Sequence, residues 1–323
     1  MGEIPAPGTG QSVPILPEQA LIYGRSRHAA SLPRFRRVML LHRVRDEQFC
    51  ITPFINIRLR EPELRRMFML QTLKKHRFLL EELVRRDFDR KYKGSFFGAA
   101  WSVLNPLMTL LIMRVVFGHF FGSTIEHYTT YLFCGTVVFS FFSESSAEGL
   151  MALMGNAHIF SKVNVPKYLF LLSKNTQTLI NFAITLCVFF LFCAIDGIVF
   201  TWKFLALVYP IIMLLVFNLG VGFLLSAMYV FFRDMQYLWA ILTQLLLYVS
   251  AVFYSIDTFP VHVQNAFLLN PIYLFIRYFR KVVIDSVIPS FGVHVLMAVD
   301  TLVVLLLGIW IYRKYDTEFL YYI

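Results

Sequence analysis

From Trp101 onward this sequence returns again and again to apolar runs of about twenty residues, the length at which a helix rising ~1.5 Å per residue crosses a ~30 Å hydrocarbon core. Such runs cannot be packed into an ordinary soluble core. In hydrocarbon, a helix is favoured because it satisfies its own backbone polar groups. Composition agrees: 58% of the 323 residues are hydrophobic and mean hydropathy is +0.63, against about 45–50% apolar in soluble domains. The chain therefore reads as an all-α polytopic membrane protein.

Six transmembrane spans are predicted, at about 101–121, 128–154, 179–195, 204–230, 237–255 and 291–312. Residues 257–290 differ. Their apolar pieces flank Asn270-Pro271 and are too short to cross. They read as two re-entrant outer helices between spans five and six, allowed only where protein or a water-filled cavity covers them.

Charge is lopsided. Nineteen of the 30 lysines and arginines lie between Arg25 and Lys93, ahead of the first span. Such a run suits nucleic acid or anionic lipid, and directly before a span it reads as the cytoplasmic, lipid-facing side. With both termini cytoplasmic, 25 basic residues fall on inner segments and four on outer ones. The outer exception is the cluster Arg277, Arg280 and Lys281, which could face an anionic passenger.

Three domains follow. Residues 1–60 form a basic extension that begins with a Pro- and Gly-rich stretch and lacks the pattern of a signal peptide. Residues 61–94 form an amphipathic interface helix, with Pro62 in its first turn and Leu80, Leu83, Val84 and Phe88 on one face. Its cations Arg85, Arg86, Arg90, Lys91 and Lys93 are placed to meet headgroups. Residues 95–323 form the six-span domain.

Within it, Glu144 and Glu148 share a face at the end of span two, read as a helix end emerging into water rather than a pathway lining. Residues 156–170 form a basic, amphipathic segment interrupted by Pro166, either a docking surface or a plain loop. Gly94 with Gly98 and Gly118 with Gly122 permit close helix approach, and Asn218, Gly222 and Ser226 form a packing stripe. Arg114 and Asp300 are charges inside spans at nearly matching depths, and are expected to pair. The four cysteines are scattered, with no metal or disulfide pattern. No GxxxxGK[ST], GxSxG or dinucleotide turn occurs. A transport subunit energised by an ion gradient or a partner fits these features.

Four motifs add a resemblance. YKGSFFGAAWSVLNPL (92–107), IFSKVNVPKYLF (159–170), GFLLSAMYVFFRDMQYLWAILTQLLLYVSAVFY (222–254) and LLNPIYLFIRYFR (268–280) stand in chain order. They resemble the permeases of ABC-2-type exporters, in the branch that moves lipid-linked polysaccharides and polyol phosphates such as O-antigen and teichoic acid. The likeness covers roughly residues 75–320; the extension before residue 60 has no counterpart.

The resemblance implies a homodimer in the inner membrane joined by two copies of a P-loop ATPase, which alone binds ATP and Mg. It implies a coupling helix carrying Asn156, His158, Ile159, Phe160, Lys162, Val163 and Pro166. It implies an outer gate with Asn270, Pro271, Arg277 and Arg280, and aromatic walls from Phe139, Phe142, Tyr248 and Tyr254. The basic interface residues would meet the lipid pyrophosphate. A membrane-embedded enzyme of glycan or lipid assembly would instead turn over without an ATPase, and needs clustered carboxylates that the sequence does not display. An ion-coupled transporter would depend on a gradient and usually carries inverted repeats, of which none is evident.

Overall fold

The computed structural model describes residues 61–93, 98–122, 125, 127–160, 162, 165–257 and 259–322. The extension 1–60, the Gly94-Ser95 turn and Val163 lie outside the described residues. Every element among the described residues is helical: α1 (Glu61–Tyr92), α2 (Trp101–Phe121), α3 (Tyr128–Met151), α4 (Ala157–Phe160), α5 (Tyr168–Ile195), α6 (Val208–Phe231), α7 (Met235–Val249), α8 (Val261–Phe267), α9 (Pro271–Val283), α10 (Phe291–Tyr315) and α11 (Phe319–Tyr322).

Four helical segments are long and apolar enough to cross a membrane: Trp101–His119, Tyr168–Ile195, Trp202–Phe231 and Phe291–Tyr315. The other two predicted spans take different forms. α3 has the length, at 24 residues, but its second half is polar. α7 is a single helix of only 15 residues. The third predicted span begins eleven residues earlier than expected, at Tyr168 rather than 179. Its first turns carry Ser173, Asn175, Gln177 and Thr178, which interrupt the hydrophobic signal yet are buried in the bundle.

α6 is the central post. α10 packs along one side of it, where the Gly220 Cα lies so close that an added Cβ would sit 2.8 Å from the Leu305 backbone. α3 packs on another side, where a Cβ on Gly149 would sit 2.9 Å from the Gly222 Cα. The Asn218–Gly222–Ser226 stripe is buried, consistent with packing. Gly118, in contrast, meets only its own helix. The core is aromatic: Phe133 meets Phe189, Phe141 stacks on Phe182, and Phe217 meets Phe275, with ring centroids 5.3, 4.3 and 5.8 Å apart.

The bundle has two ends. At one lie α1, α4 and α11; at the other lie α8, α9 and the start of α10. The α9 helix begins as its sequence dictates, with the Asn270 side chain accepting from the Ile272 N–H at 3.0 Å and Pro271 in the first turn. It is not a surface helix: ten of its 13 residues are buried. α7 is the opposite case, with no buried residue at all.

Candidate functional site

At the α1 end, helix α1 is fastened by charge. Leu83 and Asp87 face inward, and the Asp87 carboxylate is fully enclosed. Arg86 donates to Asp87 Oδ1 at 2.6 Å and to Asn156 Oδ1 at 2.7 Å. Lys174 of α5 lies 3.6 Å from Asp87 and 2.9 Å from Glu148 of α3. One turn further on, Lys91 pairs with Glu144, which also accepts from Asn181 Nδ2 at 2.7 Å. Tyr92 donates to Asn181 at 2.9 Å. Burial works against the Lys91 charge, but the hydrogen bond and charge of Glu144 outweigh it, and the pKa is raised above the ordinary lysine value.

This network changes the reading of several residues. Glu144 and Glu148 are half-buried acceptors that dock α1 and α5. Arg86 is half-buried and Lys91, though exposed, is tied to Glu144, whereas Arg85, Arg90 and Lys93 are exposed. Sequence reasoning missed Asp87, Lys174 and Asn181. The available signal was a polar run from Ser173 to Thr178 beside an apolar stretch.

The segment after α3 forms a 3-10 turn (Met154–Asn156) and α4. Asn156 points in, 2% exposed, and donates to the Ala152 carbonyl at 2.8 Å. His158 and Lys162 point out, Ile159 packs partly against the bundle, and Pro166 is half-buried. The Phe160 side chain lies outside the described residues. Lys167 anchors the other side of this segment by bonding the Asp316 carbonyl and carboxylate just before α11.

Two cavities flank α3. The first, about 560 Å³, lies among α2, α3 and α5, with Lys91, Tyr92 and Trp101 at its α1 end and Thr136, Ser140 and Thr185 along its wall. The second, about 510 Å³, lies between α3 and α7 and has no charged lining residue. Its wall offers two amides (Gln236, Gln244), two hydroxyls (Ser143, Thr243) and two ring systems (Phe139, Trp239). The α7 side chains recur every three or four residues, so one helix face supplies them. Trp239 Nε1 donates to Ser146 Oγ at 3.0 Å and is a direct tie from α7 to α3.

Of the predicted aromatic walls, Phe139 lines both cavities. Phe142 is buried in the core against Phe217 and Trp239 and lines neither. Tyr248 is exposed at the far end of α7, and Tyr254 donates back to its carbonyl at 2.9 Å.

At the far end, Asn270 caps α9 and also donates to Ser250 Oγ at 3.0 Å, tying α9 to the end of α7. Arg277 is half-buried. Arg280 does not face a passenger: it is 7% exposed and enclosed by Tyr131 and the turn after α7. Arg114 is exposed on α2 and Asp300 half-buried on α10; neither makes an ion pair among the described residues.

Against this geometry, comparison with known proteins is informative. The sequence family described as "ABC-2 type transporter" matches residues 79–284. The chain is 25% identical over 255 residues to the O-antigen export system permease protein RfbA of Myxococcus xanthus, covering 78% of this chain and 97% of that protein. It is 25% identical over 243 residues to the Klebsiella pneumoniae protein of the same name, covering 75% and 93%. It is 24% identical over 245 residues to the polysialic acid transport protein KpsM of Escherichia coli, covering 75% and 95%.

Proposed function

Because the chain belongs to the ABC-2 type transporter family, we propose that it is the permease subunit of an ATP-driven exporter that moves lipid-linked cell-surface polysaccharide across the bacterial cytoplasmic membrane. The cargo class is that of O-antigen, teichoic-acid or capsular glycans. Two copies pair, and two copies of a separate P-loop ATPase bind beneath them and hold the ATP and Mg. Six crossings are counted by adding α3 and α7 to the four long apolar segments, with α8 and α9 as outer helices that dip and return. Both termini then lie in the cytoplasm, with the α1 end inward.

The observation that carries this reading is the uncharged wall between α3 and α7. A sugar polymer presents hydroxyl groups along its edges and C–H faces between them. Amides and hydroxyls match the first and aromatic rings match the second, without the immobilising grip of an ion pair. The naked surface of α7 supports a second copy on that side. His158 and Lys162, on the segment braced by Arg86 and Lys167, are the side chains offered to the ATPase. Movement of that segment would reach α1 through the Asn156–Arg86 bond, α5 through Lys174 beside Asp87, and the end of α10 through Lys167 and Asp316.

Mild-detergent affinity purification from the native cell tests the reading. A stoichiometric P-loop ATPase and a co-purifying glycolipid are expected. Recovery of the chain alone, under conditions that keep a control complex intact, removes the energy source and overturns it. Turnover of a glycan or lipid precursor by the isolated chain would then mark a membrane-embedded enzyme.

A further inference from the structure

Fifteen residues of α7 reach about 22 Å, short of a ~30 Å hydrocarbon core. The chain leaves the helix there, turning through Ala251 at a φ of 49°. Carbonyls released from a helix at that depth are costly unless something donates to them. Four in succession are satisfied by side chains. Arg280 of α9 donates from Nη1 to the Ala251 carbonyl at 2.9 Å and from Nη2 to that of Val252 at 2.7 Å. Tyr128 and Tyr131 of α3 donate to the carbonyls of Phe253 and Tyr254 at 3.0 and 2.9 Å.

The cage is closed on itself. Arg280 Nη1 also donates to the Tyr131 hydroxyl at 2.8 Å, Nε reaches the Tyr131 carbonyl at 3.4 Å, and the guanidinium lies 3.5 Å over the Tyr131 ring. Among the described residues no carboxylate forms an ion pair with Arg280. Its charge is balanced by carbonyl and phenol dipoles and by the ring face. The fit is tight: a Cβ on Gly135 would sit 3.0 Å from Arg280 Nη2 and 3.1 Å from Val252 Cγ1.

Two contrasts give the cage a task. α7 has no buried residue, and at its far end only Leu246 and Leu247 pack partly against the core. The turn that follows it is among the most enclosed parts of the molecule, with Ala251 and Val252 fully buried. The α3–α7 cavity runs from Met151 and Gln236 as far as Phe139 and Leu247, each four positions along the chain from Gly135 and Ala251 at the cage.

We infer that Arg280, with Tyr128 and Tyr131, is a positioning device for translocation: it pins the turn 251–254 across the far end of the α3–α7 cavity and so holds the outer mouth closed at rest. This rests on the export reading above. A guanidinium can grip two adjacent carbonyls and a phenol at once because its donors form a fixed fork, which a lysine cannot reproduce.

The test uses the complete complex with its ATPase in proteoliposomes loaded with a small hydrophilic dye. It measures dye loss without ATP, ATP hydrolysis and melting temperature. Losing a bond in the cage shifts the open population roughly fivefold, so Arg280→Gln is expected to raise resting leak by that factor or more in a complex that still assembles. Tyr131→Phe, which keeps the ring under the guanidinium, gives a smaller rise, and Arg280→Lys falls between Arg280→Gln and the wild type. A purely structural role would lower the melting temperature without leak. Wild-type leak in assembled Arg280→Gln overturns the inference. Should that variant fail to assemble, wild-type leak in Tyr131→Phe overturns it. A wild-type complex that forms and hydrolyses ATP but moves no glycan sinks the export reading instead, independently of the leak result.

Discussion

Asp87 is the residue on which the α1 junction turns. Its carboxylate is enclosed, bonded by Arg86 and 3.6 Å from Lys174. Removing one member of a buried ionic cluster leaves the others desolvated without a partner, at a cost of roughly 3–5 kcal/mol. Asp87→Ala is therefore expected to lower the thermal unfolding temperature in detergent clearly, and an unchanged transition would show that the cluster does not hold α1. Lys91 gives a pH prediction. Its pKa is raised in the folded state, so its contribution is fully present below the ordinary value of 10.5 and is lost as pH climbs through the higher folded value. Proton loss from Lys91 should leave the docking of α1 undisturbed between pH 7 and 10, as read by hydrogen exchange over 83–92. Loosening attributable to Lys91 inside that window, absent in a Lys91→Arg control, would contradict the raised pKa.

Elements here are positioned in two distinct ways. α6 and α10 meet backbone to backbone, and a Cβ on Gly308 would run into the Gly220 carbonyl oxygen. No rotamer change relieves such a clash, because the obstacle is main chain. Overpacking of this kind costs about 1–3 kcal/mol or more. Gly308→Val is expected to reduce assembled protein and melting temperature, while Gly292→Val, where a Cβ meets open space, serves as the neutral control. Equal behaviour of the two would refute the close α6–α10 approach. α7 is placed instead by partial packing of Met235, Trp239, Leu246 and Leu247 and by a few polar ties: Trp239 to Ser146, and the cage after its last turn. An element held by bonds at discrete points can swing, whereas one held by packing along its length cannot.

For the whole molecule, the two ends are chemically opposite. The α1 end carries the ionic network and the basic exposed residues Arg85, Arg90, Lys93 and Lys162. The far end closes on aromatic rings and on side-chain bonds to carbonyls. On this asymmetry we propose, by the positive-inside rule, that the α1 end lies in the cytoplasm. With the native cysteines replaced, His158→Cys is expected to react with a membrane-impermeant maleimide only in inverted vesicles, and His262→Cys only in intact spheroplasts. Labelling of both from one side would overturn the orientation.

How much of this was legible beforehand differs by kind of information. Helical runs, the Asn270-Pro271 start of α9 and the basic helix before Trp101 are local properties and are present, though α5 starts eleven residues before the predicted span and α7 stops at Val249 rather than 255. Length and apolarity decided that the chain is a membrane bundle, because hydrocarbon leaves the backbone few other solutions. Resemblance in four motifs gave the family. What the sequence could not say is which polar groups meet. Lys91 finds Glu144 across 53 positions and Arg280 finds Tyr131 across 149. Periodicity tells which face a residue occupies but not what stands opposite it. An isolated glutamate at a helix end, or an arginine beside an outer turn, reads as exposed until a partner is in view. Burying an ionised group is too costly to expect without one. Only the tertiary structure decided that Glu144 and Glu148 dock helices, that Arg280 points inward and that α7 stands almost bare, since each depends on partners brought from distant parts of the chain.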